Sequence, residues 1–312
     1  MATTVSQLVD AFLTACKEHR AANTHKQYSV RLRPFAAAFP DREFASLEPL
    51  EIDAYLSAAG KFADGTLKAP DTRRITAIAL MQLQKFAQQK RVIKEPLFDR
   101  LEKPTGRKRE RLPTAEETAQ ILQHASPAFR QIYQALRQSG ARPSELAAAT
   151  VADWDRTAGV IELEKHKTAG KTGKKRRIGV GEQLQRMLLV AIGDRTSGPI
   201  FRSPRNQPWT SAGLTQTFSR LRTRAGLPGD LVLYLARHEH ATALCKAKDI
   251  SAAQHALGHA NIATTQRYVH PDDAALKANQ DLFHAGSLDP PTPDISHEMK
   301  AGPEAARTAS DP

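Results

Sequence analysis

The amino-acid sequence predicts an α+β protein that is mainly α-helical and carries one small β-sheet. Apolar residues recur every three or four positions through most of the first hundred residues, which is typical of amphipathic helices. Between residues 160 and 180 this periodicity lapses, and two short apolar runs flank a turn rich in Lys and Gly. Because a domain usually holds about 100–200 residues, a chain of 312 residues predicts two domains.

The predicted N-terminal domain spans residues 1–99 and contains four helices. The first helix has an apolar face made of Val5, Leu8, Val9, Phe12, Leu13 and Cys16. Thr24 is expected to cap the second helix, and the third is expected to cover residues 46–56. The fourth is expected to begin at Asp71 or Thr72 and to turn five side chains inward: Ile75, Ile78, Ala79, Leu83 and Phe86.

Residues 100–111 are expected to form a basic linker between the two domains. The segment holds six bases, two acids, a Pro and a Gly, with only one apolar residue. Such a composition is typical of a domain boundary. The linker could lie along the backbone of a nucleic acid or serve as a solvated hinge, and the sequence does not decide between the two.

The predicted second domain spans residues 112–286 and opens with helices that carry clear start signals. Thr114 and Glu117 have the spacing of a capping box, and Ser126-Pro127 begins the next helix, which ends at Gly140. Two short strands are expected at 160–163 and 178–180. Helical periodicity then predicts five helices, at residues 182–193, 211–225, 237–247, 250–257 and 271–284.

The charge of the chain is unevenly distributed. The 45 Lys and Arg against 33 Asp and Glu give a formal charge of +12. Residues 287–312 hold five acids, two bases and five prolines and are expected to form a disordered tail, so the first 286 residues carry +15. An excess of this size favours a polyanionic partner such as nucleic acid, although a basic surface can also serve solubility alone.

The composition also excludes several classes of protein. No stretch approaches the roughly 18 consecutive apolar residues of a membrane helix, and the N-terminus lacks the basic segment of a secretory signal. We therefore predict a cytoplasmic protein with no membrane partner. The two cysteines, Cys16 and Cys245, look like core residues in a reducing compartment. Neither a zinc motif nor an Mg²⁺ site is apparent, so no metal and no cofactor are predicted.

The first of four segments that could carry chemistry runs from Gly140 to Leu146 and reads GARPSEL. A Gly that ends one helix and a Pro-Ser that begins the next would place Arg142 in a tight turn at a helix N-terminus. Such a turn can bind a phosphate through the guanidinium and the backbone N–H groups. An ordinary loop with a surface Arg fits the same residues.

The second segment, residues 165–177, places seven bases and no acid at the tip of the predicted hairpin. A basic finger of this kind suits the backbone of a nucleic acid and can deliver a Lys ammonium to a leaving oxygen. It lacks the G-x-x-x-x-G-K-[ST] spacing and joins two strands, which excludes the phosphate loop of an NTPase.

The third segment, residues 234–242, reads YLARHEHAT. Arg237 and His238 are expected at the start of a helix. Metal ligands that share a helix face are usually four residues apart. The two-residue spacing of His238 and His240 therefore argues against a zinc site.

The fourth segment runs from Leu257 to Tyr268. Gly258 is a good helix C-cap, so His259 is expected in the loop that follows, and a short helix from Thr264 would carry Tyr268. The His and the Tyr can converge on one pocket across this break. A half-buried core aromatic is the alternative interpretation of a lone Tyr here.

Taken in chain order, these residue types suit phosphodiester chemistry. Two Arg side chains can hold the non-bridging oxygens and stabilise negative charge in the transition state. A Tyr hydroxyl can form a covalent phosphoryl intermediate. A Lys can protonate a departing 5′ oxygen, and a His can donate a hydrogen bond or move a proton. Guanidinium groups then take the place of metal ions as the charge clamp.

Together the segments resemble the tyrosine recombinases of the phage integrase family. Leu257-Gly258-His259, Thr264-Thr265 and Tyr268-Val269-His270 match the family's C-terminal motif, and the segments around Arg142 and Arg237 match its two arginine boxes. The resemblance covers residues 5–285 and is specific from residue 112 onward. It implies a helical SAM-like core-binding domain and a mixed α/β catalytic domain, which close around duplex DNA as a C-shaped clamp.

The resemblance also implies a role for each site residue. Tyr268 would be the nucleophile that forms a 3′-phosphotyrosyl intermediate. Arg142 and Arg237 would clamp the scissile phosphate, His259 would hydrogen-bond it, and Lys167 would be the general acid. Neither metal nor ATP is implied, because the intermediate keeps the energy of the cleaved bond.

This assignment departs from the family pattern at residue 234 and leaves two lysines open in the hairpin, and it gives Glu145 a supporting role. Many relatives have His three residues before the second Arg, where this chain has Tyr234. A phenol can donate a hydrogen bond to phosphate, but it cannot act as an imidazole-like base near neutral pH. The hairpin offers both Lys167 and Lys171 as the general acid, and we favour Lys167. Glu145 is expected to orient the first arginine box by a salt bridge or a cap.

Double-stranded DNA is the predicted partner of a homotetramer. DNA contacts are expected from nine residues: Thr72, Arg73 and Arg74 in the first domain, Arg107, Lys108 and Arg109 in the linker, and Lys171, Lys174 and Lys175 in the hairpin. The helix at 271–284 is expected to dock on a neighbouring protomer, although it could fold back on its own domain. An accessory directionality factor could join the complex.

Several functions remain open at this point. Within the family, an element-encoded integrase, a Xer-like resolvase and a transposase all fit. From other classes, a DNA-binding regulator that has lost catalysis and a type IB topoisomerase are the alternatives. Retention of Tyr268, both Arg and His259 favours an enzyme over a regulator, because a pure binder has no need of that hydroxyl.

Overall fold

The computed structural model describes residues 3–98, 101, 104–105, 111–164, 173 and 175–269. It confirms the mainly helical α+β class, with one three-stranded sheet in this part of the chain. The chain divides into two compact units, Met1–Glu110 and Arg111–Pro312, so the boundary lies within the basic segment 100–111.

The N-terminal unit contains four helices and a 3₁₀ turn around an apolar core. The elements are α1 Val5–His19, α2 Ala22–Ala38, the 3₁₀ turn Phe44–Ser46, α3 Pro49–Ala59 and α4 Pro70–Gln89. All six residues of the predicted α1 face are buried. They pack with buried side chains of α2 and α4, among them Phe35 and Leu83. Thr4 begins α1 through a capping box with Gln7.

Three helix starts in this unit differ from the sequence prediction. Thr24 does not cap α2, because it lies inside the first turn and its N–H donates to the carbonyl of Ala21. Helices α3 and α4 begin at Pro49 and Pro70 rather than at residues 46 and 71 or 72. Proline suits the first helical position, where its missing N–H would have had no partner.

The buried face of α4 also differs in one residue. Ala79 and Leu83 are buried as predicted, but Ile75 is 38% exposed. The buried stripe of this helix runs through Leu80 and Ala87. At 100° per residue Ile75 lies about 140° from Leu80 and about 120° from Ala87. It is therefore at the edge of the buried stripe, on the side of Ala79, and its apolar character does not bring it into the core.

The C-terminal unit combines seven described helices with the sheet. The helices are α5 Ala115–His124, α6 Pro127–Ser139, α7 Pro143–Ala148, α8 Glu182–Ile192, α9 Ser211–Arg224, α10 Leu235–Ala247 and α11 Ile250–Leu257. The antiparallel strands are β1 Trp154–Asp155, β2 Val160–Leu163 and β3 Arg176–Gly179, in that order. The 3₁₀ turns are Val151–Asp153, Ile262–Thr264 and Gln266–Tyr268.

The hairpin of β2 and β3 is confirmed, with Ile161 opposite Ile178. Strand β1 was not predicted, because two residues are too few to produce an alternating pattern. Helix α6 lies in the apolar core of the unit, which Phe129 and Leu136 share with side chains of the sheet, α8 and α9.

Local signals at the helix ends position the site. Thr114 caps α5 by accepting a hydrogen bond from the N–H of Glu117, and Ser126 caps α6, both as predicted. Gly140 ends α6 with a φ of 60°, and Gly258 ends α11 with a φ of 63°. Glycine adopts this left-handed backbone without strain, so both helices stop abruptly and the next residues turn toward one another.

Several predictions fall outside the described residues. These are the linker bases Arg107, Lys108 and Arg109, the hairpin lysines Lys167, Lys171 and Lys174, the helix at 271–284 and the tail at 287–312. Within the described ranges, no helix combines the length and the apolar character that a membrane span requires.

Candidate active site

Four of the predicted site residues lie at element ends within the C-terminal unit. Arg142 precedes the first residue of α7, two residues after Gly140. Arg237 lies in the first turn of α10, and His259 follows the Gly that ends α11. Tyr268 is the last residue of the 3₁₀ turn Gln266–Tyr268.

Arg237 connects the two glycine turns. Its side chain is buried, with 1% of the residue exposed. Nη1 donates to the carbonyl of Gly140 at 2.6 Å, and Nη2 donates to the carbonyl of Leu257 at 2.7 Å. The Nε–H is buried and has no acceptor among the described residues. Burial lowers the pKa of Arg237, but a guanidinium starts from so high a value that it stays charged.

His259 lies directly against this guanidinium. Its Nε2 is 3.0 Å from Nη2 of Arg237, and its Nδ1 is 2.9 Å from Oγ1 of Thr265. Because an Arg side chain can only donate, Nε2 must accept this bond, and Nδ1 then carries the proton and donates to Thr265. The contact with Arg237 therefore favours the tautomer of His259 that carries its proton on Nδ1.

Tyr268 packs between two imidazole rings. Its ring is stacked on that of His259 at 6.2 Å between centroids and meets that of His238 edge-on at 5.1 Å. It forms an apolar cluster with Ala241 and Leu257 and is only 4% exposed. The residue is thus next to the Arg237–His259 pair, but largely covered.

Arg142 is held by Glu145, as the sequence predicted. Its Nη1 donates to Oε1 at 2.6 Å, and its backbone N–H donates to Oε2 at 2.9 Å. The carboxylate thus serves as both salt bridge and cap. Glu145 is 3% exposed, whereas 15% of the Arg142 side chain reaches solvent. The remaining guanidinium N–H groups of Arg142 make no hydrogen bond within the described ranges.

A third arginine, Arg176, completes this network. Its Nε forms an ion pair with Oε2 of Glu145 at 3.4 Å, and it is itself 4% exposed. Burial alone would raise the pKa of Glu145, but Arg176, Arg142 and the cap N–H outweigh it and lower the pKa. Three guanidinium groups and one carboxylate leave a net positive charge, which suits a phosphate anion.

Tyr234 lies one helical turn before Arg237, whose backbone N–H donates to the Tyr234 carbonyl at 3.1 Å. It is 37% exposed, and its ring meets that of His238 at 5.4 Å between centroids. His238 therefore contacts both Tyr234 and Tyr268, so this imidazole lies between the position that departs from the family pattern and the expected nucleophile.

The remaining described predictions lie elsewhere. Thr72, Arg73 and Arg74 are in the first turn of α4 in the N-terminal unit, with Thr72 and Arg74 exposed and Arg73 half-buried. Lys175 forms ion pairs with Glu162 at 2.8 Å and Glu164 at 3.6 Å, and the bond to Glu162 raises its pKa. A DNA phosphate would have to compete with these two carboxylates.

Sequence reasoning missed Arg176, His238 as a ring contact, and Thr265. For Arg176 a signal was present, because residues two apart on a strand share a face and Ile178 is apolar. The described residues include no group of three His, Cys, Asp or Glu side chains that could hold a metal ion. His240 instead packs against Gly140, and its Nδ1 hydrogen-bonds the carbonyl of Arg137.

The chain is similar to known proteins along most of its length. The profile of the phage integrase family matches residues 111–275. Tyrosine recombinase XerC of Mycobacterium sp. (strain JLS) is 27% identical over 309 residues, which cover 90% of this chain and 99% of that protein. Tyrosine recombinase XerC of Syntrophus aciditrophicus (strain SB) is 29% identical over 168 residues, which cover 50% of this chain and 53% of that protein.

Solved structures give the same result for the fold. A lambda integrase dimer bound to a COC' core site superposes with a TM-score of 0.70 at 20% identity, covering 85% of this chain and 95% of that one. A lambda integrase tetramer bound to a Holliday junction gives 0.71 at 19% identity, covering 86% and 78%.

Proposed function

Because this chain belongs to the phage integrase family and is a tyrosine-type DNA strand transferase, we propose that it is a site-specific recombinase of duplex DNA. It cleaves and rejoins strands through a 3′-phosphotyrosyl intermediate, without metal or ATP. The observation that carries the proposal is the convergence of Arg237, His259 and Tyr268, with Arg142 held by Glu145 in the same unit.

Arg142 and Arg237 hold the scissile phosphate in the proposed mechanism. Arg142 offers guanidinium N–H groups at a partly exposed position, and Arg237 contributes a buried positive charge. Fixed donors in a site that excludes water stabilise the charge that develops on the non-bridging oxygens more than water can. His259 adds a hydrogen bond to the phosphate once its Nε2 is released from Arg237 or protonated.

Tyr268 attacks the phosphorus, which forms a bond to the phenolic oxygen and breaks the bond to the 5′ oxygen. The phenol proton passes to the imidazole pair His238 and His259, whose rings contact Tyr268. Lys167 gives a proton to the departing 5′ oxygen. A 5′ hydroxyl from another strand then reverses the step, so that no energy source is needed.

The covered position of Tyr268 has a consequence for this reaction. At 4% exposure the ring must move outward before a phosphate can reach it. The segment that carries it consists of two 3₁₀ turns, Ile262–Thr264 and Gln266–Tyr268. Such short turns are held by few backbone hydrogen bonds, and we assign the rearrangement to this segment.

DNA binding and assembly follow from charge and from the relatives. The first 286 residues carry +15, and the lambda integrase structures are a dimer on a core site and a tetramer on a Holliday junction. We assign double-stranded DNA as the partner and a tetramer as the active form. The helix at 271–284 would dock on a neighbour, and Thr72, Arg73 and Arg74 would contact the DNA backbone.

A covalent trapping assay tests the function. The protein is incubated with nicked duplexes that carry candidate target sites, and adducts are resolved on a denaturing gel. The wild type is expected to form an adduct and Tyr268→Phe to form none, because no hydroxyl remains to attack. Tyr28→Phe, in the N-terminal unit, is the matched control and should retain the adduct. Wild-type protein that binds these sites without an adduct would favour the DNA-binding regulator instead.

The same assay distinguishes the two candidate general acids. Lys167→Ala should cleave far more slowly than Lys171→Ala, because only the first removes the proton donor for the 5′ oxygen. A 5′-phosphorothiolate substrate, whose sulfur leaves without protonation, should restore the rate of the affected variant. Equal rates for the two variants on the normal substrate would refute the assignment of Lys167.

A further inference from the structure

Arg176 is a buried charge that the proposed reaction does not use directly. It is the first residue of β3, and its side chain shares the inward face of the strand with Ile178. Placing a guanidinium in such a position costs free energy unless its donors are satisfied. An apolar residue would fill this strand position at lower cost, so the contacts of Arg176 indicate what the charge does.

The first contact of Arg176 reaches the phosphate clamp. Its Nε lies 3.4 Å from Oε2 of Glu145, the same oxygen that accepts the backbone N–H of Arg142. The other carboxylate oxygen accepts Nη1 of Arg142. The carboxylate is therefore held from both sides by positive charge, and its position fixes that of the Arg142 side chain.

The second contact reaches the turn that presents His259. Nη2 of Arg176 donates to the carbonyl of Ala256 at 2.8 Å. The turn fits closely over this guanidinium, since a Cβ at Gly258 would lie 2.9 Å from Nη1 of Arg176. Both the left-handed φ and the lack of space require Gly at 258. Arg176 thus fixes the end of α11 one turn before His259.

We propose that Arg176 is a positioning residue for strand transfer, which holds Glu145 against Arg142 and the Ala256–Gly258 turn beneath His259. Because Arg176 begins β3, it also connects this strand to Glu145 and to the turn before His259. This role rests on the proposed function, but it concerns the rate of the chemical step and not its existence. No contact of Arg176 with DNA is required.

The test compares Arg176→Met with wild type in single-turnover cleavage at saturating DNA. A misplacement of the clamp by about 1 Å is expected to slow cleavage about 100-fold, with no matching change in the Kd for DNA. Arg186→Met is the matched control, because Arg186 is exposed on α8 and paired with Glu182 at 3.5 Å. It should cleave at the wild-type rate.

Two further readouts separate positioning from general destabilisation. Without Arg176 the pKa of Glu145 should rise, so the acid side of the pH–rate profile should move to higher pH. A methylphosphonate at the scissile position carries no charge, so the position of the Arg142 guanidinium should affect its cleavage less. The difference in cleavage rate between wild type and Arg176→Met should therefore be smaller on this substrate. A melting curve establishes that the variant is folded.

The outcomes decide the proposal. The proposal is supported if Arg176→Met cleaves more slowly, has a shifted pH–rate profile and differs less from wild type on the methylphosphonate substrate. It is overturned if Arg176→Met cleaves at the wild-type rate. It is also overturned if cleavage is slower but neither the pH–rate profile nor the rate difference on the methylphosphonate changes. If Arg176→Met does not fold, Arg176→Lys must reproduce the same pattern. Glu145→Gln, which removes the titrating carboxyl, must slow cleavage and reduce the rate difference on the methylphosphonate substrate. Failure of either variant overturns the proposal equally. Absence of an adduct with the wild type would instead refute the proposed function.

Discussion

The C-terminal unit carries two clusters of charged side chains that share their chemistry and differ in burial. The site cluster consists of Arg142, Glu145, Arg176 and Arg237, and its carboxylate is 3% exposed. The sheet cluster consists of Glu162, Glu164, Lys175 and Arg177, all of them partly or fully exposed. Ion pairs in water are weak because the solvent competes with them, whereas a buried charge that loses its partner has no substitute.

The difference bears on the proposed role of the site cluster, because the two clusters hold their charges in different ways. In the site cluster every charge is fixed by contacts with backbone carbonyls or with another buried charge, as Arg237 is by Gly140 and Leu257. In the sheet cluster Lys175 pairs with two carboxylates on a solvated surface. Fixed donors contribute to catalysis because they need no rearrangement during the reaction. Exposed surface charges contribute mainly to the attraction of DNA.

The largest expected effect is on stability, from removal of the shared carboxylate. Glu145→Ala leaves Arg142 and Arg176 without their counter-charge, and it should lower the free energy of unfolding by about 3–5 kcal/mol. Glu162→Ala is the matched control in the sheet cluster, and it should shift the urea midpoint far less. Equal shifts for the two variants would show that burial does not distinguish the clusters.

A smaller effect is expected at the turn that supports Arg237. Gly140→Ala forces a left-handed backbone on a residue with a Cβ, which costs about 1–2 kcal/mol, and its Cβ would lie 2.4 Å from Cδ2 of His240. Gly159→Ala is the control, since its φ of 63° is similar and its Cβ would meet only the carbonyl of Val180 at 3.5 Å.

The comparison of these two glycine variants isolates the steric contribution. Gly140→Ala should melt at a lower temperature than Gly159→Ala and should also cleave DNA more slowly, because the Gly140 carbonyl accepts from Arg237. Gly159→Ala should keep the wild-type cleavage rate. A Gly140→Ala protein that melts and cleaves like Gly159→Ala would contradict the close packing of His240 on this turn.

The sequence predicted best those features that depend on neighbouring residues. The apolar face of α1, the caps at Thr114 and Ser126 and the glycine ends of α6 and α11 all follow from signals within a few positions. The predicted starts of α3 and α4 were wrong, because the preference of proline for the first helical position was not used. The predicted inward position of Ile75 was wrong, because tertiary packing decides which side of a helix faces the core.

Of the contacts at the candidate site, the sequence predicted only the one between Glu145 and Arg142. Arg142, Arg237, His259 and Tyr268 were identified as candidates by type and order. Arg176 was not, because its partners lie 31 residues away at Glu145 and 80 residues away at Ala256. The sequence offered a half-buried core aromatic as an alternative interpretation of Tyr268. Its near-complete burial results from the packing of α10 and α11 around a short 3₁₀ turn.

The most direct test of the central claim is the identity of the residue that bonds to DNA. The trapped adduct is digested with protease and nuclease, and the nucleotide-bearing peptide is sequenced by mass spectrometry. We expect one modified residue, Tyr268, linked to a 3′ phosphate. A nucleotide on another residue, including the exposed Tyr234, or one linked through a 5′ phosphate, would refute the proposed chemistry.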